Sequence, residues 1–106
     1  MNERVYYTIL IYVQEGQLAL LHEYERLAQP IIEKYSGRFE QIIQPTQIVG
    51  DLPLPDEIHV LSFANEAAFS RYRQDPDSQA LAPMREASVA QAIFISGKLT
   101  DFASTV

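Results

Sequence analysis

Residues 5–13 read Val-Tyr-Tyr-Thr-Ile-Leu-Ile-Tyr-Val, the most apolar stretch of the chain. They are mostly β-branched or aromatic, which suits a strand, and successive side chains of a strand point to opposite faces. Val5, Ile9, Ile11 and Val13 fall on one face, and Tyr6, Leu10 and Tyr12 on the other. Both faces are apolar, so the strand is expected to be buried on both sides. The stretch is far too short for a membrane-spanning helix. No consistent positive run precedes it and no small-residue cleavage site follows, so a cytoplasmic protein without a secretory leader is expected.

Outward from this strand, Gln14-Glu15-Gly16 makes a break. Residues 17–35 then have helical periodicity: Leu20, Leu21, Tyr24, Leu27, Ala28, Ile31, Ile32 and Tyr35 share one arc, with Glu23, Arg26, Gln29 and Glu33 opposite and His22 on the wet side. Pro30 removes the bond to the Arg26 carbonyl and predicts a kink or a break near Gln29. Ser36-Gly37 should end the helix, with glycine as the left-handed residue. A second strand is expected over 38–49, at a sheet edge because Pro45 cannot donate to a ladder. The turn-rich segment 50–56 leads into a third strand over 57–64, whose parities are Ile58, Val60, Ser62 and His59, Leu61, Phe63. Asn65 can cap a helix to about Gln74, Asp75-Pro76 can start another turn of helix to about Ala82, and 83–87 makes a further turn. The last strand is expected over 89–98, and 99–106 as a loosely docked tail.

The order strand, helix, strand, strand, helix, strand is that of a ferredoxin-like α+β domain: βαββαβ, with a four-stranded antiparallel sheet and two helices on one face. One domain of 106 residues accounts for the whole chain, with its core at about 5–98. Two helices leave the other sheet face bare, and a bare face should alternate with polar residues. The first strand does not, and the last sets Val89, Ile93 and Ile95 against Ala90, Ala92 and Phe94. The simplest cover for such a face is a second copy, so a homodimer through the sheet faces is expected.

Composition narrows the chemistry. The chain has 8 Lys+Arg against 14 Asp+Glu, a formal charge of −6, and the basic residues are scattered, so neither nucleic acid nor a membrane surface is an expected partner. It has no cysteine, which excludes disulfides, Cys-ligated zinc, Fe–S clusters and thiol catalysis.

The run Tyr24-Glu25-x-x-Ala28-x-Pro30-Ile31-Ile32-x-Lys34-Tyr35-x-Gly37-Arg38-Phe39 resembles the first-helix-to-second-strand signature of a small domain-of-unknown-function family in the dimeric α/β-barrel superfamily. Phe63, Ala67-Ala68-Phe69, Tyr72 and Asp75-Pro76-x-x-Gln79-x-Leu81-x-Pro83-x-Arg85-x-x-Ser88 agree with it, and coverage runs from about Tyr6 to Gly97. The resemblance implies a ferredoxin-like protomer, a barrel made by two sheets in a dimer, and no settled activity. The wider superfamily includes cofactor-free monooxygenases, muconolactone isomerase, haem proteins and ligand-sensing regulatory domains. Two positions depart from the family pattern: Ser62, where glutamate is common, and Arg71, where an aromatic is common. There is no tryptophan.

Four residues stand out as ligand-binding candidates: Tyr24, His59, Tyr72 and Arg85, expected around a cavity between helices and sheet. His59 is the candidate general base, and it has no second histidine or carboxylate pair at ligand spacing in the sequence. A structural role stands beside the functional one. Arg85 suits an anionic ligand, or equally an internal ion pair with Glu25 or Asp77; Arg38 has the same two readings. Tyr24, Tyr35 and Tyr72 all face inward, as orienting donors or as ordinary core phenols. Ser62 and Ser88 lack the context of a nucleophile, and the glycines form no phosphate loop. No cofactor or metal is expected; for haem, His59 is the only axial ligand on offer. The function read from the sequence is a small-molecule-binding barrel dimer, or a cofactor-independent enzyme of that build, on a small, partly apolar, anionic compound. The alternative is a non-catalytic accessory or regulatory module.

Overall fold

The computed structural model describes residues 4–100. Its elements are β1 (Val5–Val13), α1 (Leu18–Lys34), β2 (Arg38–Ile43), β3 (Glu57–Phe63), α2 (Glu66–Gln74), α3 (Pro76–Ala80), α4 (Ala82–Ser88) and β4 (Val89–Gly97). The strands form one antiparallel sheet in the order β2-β3-β1-β4, the ferredoxin-like arrangement, with the helices on one face. The turn expected at 83–87 is a helix, α4. Of the expected tail, residues 101–106 lie outside the described residues.

Register fixes which residues share a face. Ile9 lies opposite His59 and Phe94, and Tyr7 opposite Leu61, so these belong to the helix side. Tyr7, Ile9, Ile11, Leu61 and Phe63 are buried there against Leu21, Ala28 and Ile32 of α1 and Ala68 and Tyr72 of α2. The Tyr7 and Phe69 rings stack at 4.1 Å, and Phe63 meets Phe69 edge-on at 5.3 Å. The opposite parity, Leu10, Ile58, Val60 and Ile93, is half-buried within the protomer, with Ile43 and Ile95 of the two edge strands exposed.

Three expectations are corrected. Helix α1 does not break near Gln29 but is one element through Pro30, because Ala28 and Ile32 on either side of it are both 1% exposed and their packing outweighs the lost bond. Strand β2 ends at Ile43 rather than at 49: Ile43 pairs with Ile58 near the start of β3, and beyond it no strand lies alongside and Pro45 has no donor. At the helix end, Ser36 rather than Gly37 adopts the left-handed conformation, with φ 65°. Ser36 N donates to the Glu33 carbonyl and Gly37 N to that of Ile32, the paired bonds of a Schellman motif. Gly37 is required for a different reason: a Cβ there would stand 2.5 Å from Phe63 Cε1 and 2.6 Å from Ile32 Cγ2.

The corner joining α1, α2 and α3 is built on Asp75. Its Oδ1 accepts from Asp77 N at 2.7 Å, capping α3, and its Oδ2 accepts from the Tyr35 hydroxyl at 2.5 Å and Lys34 Nζ at 3.0 Å. These bonds, the phenol's first and the lysine's second, hold the Asp75 carboxyl down at about 2. Asn65 caps α2 by accepting from Ala68 N at 2.8 Å.

Candidate functional site

The helices leave part of the sheet's helix side open toward β4, because α3 and α4 are short and Phe94 is 52% exposed beneath them. A cleft of about 500 Å³ lies there. Its sheet wall is largely apolar, from Ile9, Leu61 and Phe94; Tyr24 of α1, Tyr72 and Arg73 of α2 and Arg85 and Glu86 of α4 bring polar groups to it. Three of the four sequence-predicted site residues therefore meet in one place.

The three are coupled. The Arg85 guanidinium lies 6.0 Å from the centre of the Tyr24 ring, within reach of a cation–π contact. Burial, together with the neighbouring Tyr24, pushes the Tyr72 phenol well above the usual tyrosine range, so Tyr72 stays protonated and can only donate or accept a hydrogen bond. Arg85 makes no ion pair with Glu25 or Asp77 among the described residues, and its charge faces the cleft without a bonded anion. Arg38, by contrast, approaches Glu40 at 3.8 Å.

His59 is placed elsewhere. It is 3% exposed and does not line this cleft. Nor is it alone, as the sequence suggested. Period two in β3 sets Glu57 beside it on the helix side, and the i, i+3 pair His22 and Glu25 of α1 lies above them. His59 Nε2 stands 2.8 Å from Glu57 Oε1 and 2.9 Å from Glu25 Oε2, and His22 Nε2 stands 2.6 Å from Glu57 Oε2. One ring N–H cannot be aimed at two carboxylates. It bonds Glu57, and among the described residues the buried Glu25 Oε2 has no hydrogen-bond partner, only the ion-pair contact with His59.

The electrostatics follow from this geometry. Burial pushes the Glu25 carboxyl up. Burial also acts upward on Glu57, but hydrogen bonds from Glu25, His59 and His22 outweigh it and hold Glu57 below the usual range. For His59 burial opposes charge, yet the two carboxylates win and raise its pKa. The sequence contained a signal for this cluster in Glu57-x-His59, two polar residues on a parity shared with Leu61 and Phe63; the contribution of α1 was hidden, because nothing in one sequence says which turn of a helix lies over which strand residue.

The family model described as a domain of unknown function (DUF1330) matches residues 6–98. The chain belongs to the DUF1330 family. As a DUF1330 domain it is similar in structure to the RPA0582 protein of unknown function from Rhodopseudomonas palustris, with TM-score 0.82 and 17% identity over 94% of this chain and 85% of that one. It is also similar to a dabb family protein with a ferredoxin-like fold from Mesorhizobium loti (TM-score 0.64, 19% identity, 92% and 98% covered). A third similar structure is a dimeric ferredoxin-like protein of unknown function from Thermobifida fusca (0.65, 11%, 93% and 93%). At these identities the likeness shows the fold. No protein of curated function matches the sequence. No helix among the described residues is long and apolar enough to cross a membrane.

At Ser62, one of the two positions where the resemblance implied a different residue, the hydroxyl is fully buried and donates to Glu40 Oε2 of β2 at 2.6 Å, while Arg4 Nε donates to Ser62 Oγ at 3.0 Å. A carboxylate is thus present beside this position, supplied by the neighbouring strand.

Proposed function

We propose that this DUF1330 domain works as a homodimer, sheet face to sheet face, each protomer of which binds a small, partly apolar anion in the cleft between Tyr24, Tyr72 and Arg85. The observation that carries the binding reading is Arg85: a cation with no bonded carboxylate, set against two phenols and an apolar floor in a cleft whose rim also carries Arg73 and Glu86, is a donor arrangement that suits a compound such as an aromatic carboxylate. The dimer is supported by the apolar helix-free face and by the loop between β2 and β3, whose Ile48, Val49, Leu52 and Leu54 are exposed. Tyr12, on the helix-free side, ties this loop down by donating to the Pro53 carbonyl at 2.8 Å, so the loop's apolar residues extend the same surface.

Within this reading, a binding or regulatory module is favoured over a cofactor-independent enzyme. The candidate base His59 is withdrawn from the cleft, which leaves no carboxylate–imidazole pair among the described residues beside the bound compound. Thermal denaturation with a panel of aromatic and aliphatic carboxylates tests the proposal. A ligand at a hundred times its Kd adds about 2.7 kcal/mol to the folded state. The expected result is a clear rise in Tm for at least one carboxylate that disappears in Arg85→Ala. An equal rise in Arg85→Ala, or none with any acid, contradicts it.

A further inference from the structure

We propose that His22, Glu25, Glu57 and His59 form a site for a divalent first-row transition cation, separate from the Tyr24–Tyr72–Arg85 cleft and independent of that reading. The donor set is the first ground. Two carboxylates supply two negative charges, matching a dication, and two imidazoles supply nitrogen. One ligand atom each from His22, Glu25 and Glu57 lie within 4.8 Å of one another. His59 Nε2 adds a fourth, 2.9 and 2.8 Å from the Glu25 and Glu57 oxygens. A cation held at about 2.1 Å by four tetrahedral donors sets them about 3.4 Å apart, so the pairs now at 2.6–2.9 Å would open slightly on binding and the outer pairs, within 4.8 Å, would close.

The second ground is Glu25 Oε2. It is buried, without a hydrogen-bond partner, on a side chain 11% exposed, and it faces the His59 nitrogen that already serves Glu57. A carboxylate oxygen in that position is costly unless it is paired or coordinates a metal. The imidazole of His59 faces both carboxylates and offers them at most one positive charge between them, and the nearby Arg26 adds none, being turned outward onto Glu23 with Nη2 2.6 Å from Glu23 Oε2.

The site is also rigid and reachable. All four donors stand inside regular elements, His22 and Glu25 in α1 and Glu57 and His59 in β3, and Phe39 packs edge-on against the His59 ring at 5.8 Å. His22 is half exposed, and a second cleft, lined by His22, Glu25, Gln29, Phe39 and Ile42, opens between α1 and β2. Imidazole paired with carboxylate favours zinc, iron, cobalt or manganese over magnesium and calcium.

The test is calorimetric titration of the full-length, tag-free, chelator-stripped protein with zinc chloride, with cobalt(II) as a spectroscopic probe. One ion per protomer is expected, with visible d–d bands on cobalt binding. His22→Ala and Glu25→Gln should each weaken zinc binding by ~10-fold or more with unchanged far-UV circular dichroism. Because His22 is half exposed, His22→Ala carries the test if Glu25→Gln does not fold. Asp51→Asn, in the loop after β2, should bind like the parent. The proposal is overturned by absence of uptake, by parental affinity in the His22 variant, or by magnesium binding as tightly as zinc.

Discussion

The two faces of the sheet are built from the same kind of residue and have opposite fates. On the helix side, Tyr7, Ile9, Ile11, Leu61 and Phe63 are at most 7% exposed. On the other side, Leu10, Ile58, Val60 and Ile93 are partly open, and Ile43 and Ile95 are 41% and 53% exposed. Burial of apolar surface is worth about 25 cal/mol per Å², so the first face holds the protomer together and the second holds an equal kind of energy in reserve. The difference teaches that the fold of one chain leaves part of the sheet's apolar surface uncovered, and that substitutions on the two faces should read out in different experiments.

The contrast is broken most forcefully at Phe63. Phe63→Ala empties the centre of the aromatic cluster and should cost about 3–5 kcal/mol in chemical denaturation. Gly37→Ala attacks the same ring from the other side: the new methyl must displace Phe63 or Ile32, and a loss of about 1–3 kcal/mol is expected. A surface-like loss within about 0.5 kcal/mol for either variant would mean that this face is looser than its geometry implies.

Ile95→Asp, on the helix-free face of an edge strand, sharpens the comparison. It should leave the circular dichroism of the protomer unchanged while making the melting temperature independent of protein concentration, which in the parent it should not be.

The smallest effect is confined to acid. Asp75 is held at about 2 in the folded chain against 3.8 for the free group, so the unfolded state binds the proton first. The stabilisation is therefore fully present above about pH 4 and is lost as pH falls toward 2. Asp75→Asn should flatten this limb of the pH–stability curve and lower stability at neutral pH, where the Tyr35 and Lys34 bonds are weakened. An unchanged acid limb in the variant would show that other carboxylates govern it.

Much of this architecture was legible in the sequence, since the parity of 5–13 and the spacing of 17–35 set element types and the sheet's two-sided character. What was not legible required neighbours from elsewhere in the chain. The shorter β2 depends on where β3 begins; the exchange of roles between Ser36 and Gly37 depends on Phe63, a residue 26 positions away from Gly37. Of the candidate residues, Tyr24, Tyr72 and Arg85 come together in one cleft because each sits on the inner side of its own element. His59 was found without its partners, because Glu25 and His22 reach it only across the packing of α1 on β3.

The most direct test is sedimentation equilibrium of the full chain at micromolar concentration, for the parent and for Ile95→Asp. A sheet with a second face waiting for its own copy requires a dimer for the parent and a folded monomer for the variant. A parent that sediments only as a monomer would contradict it.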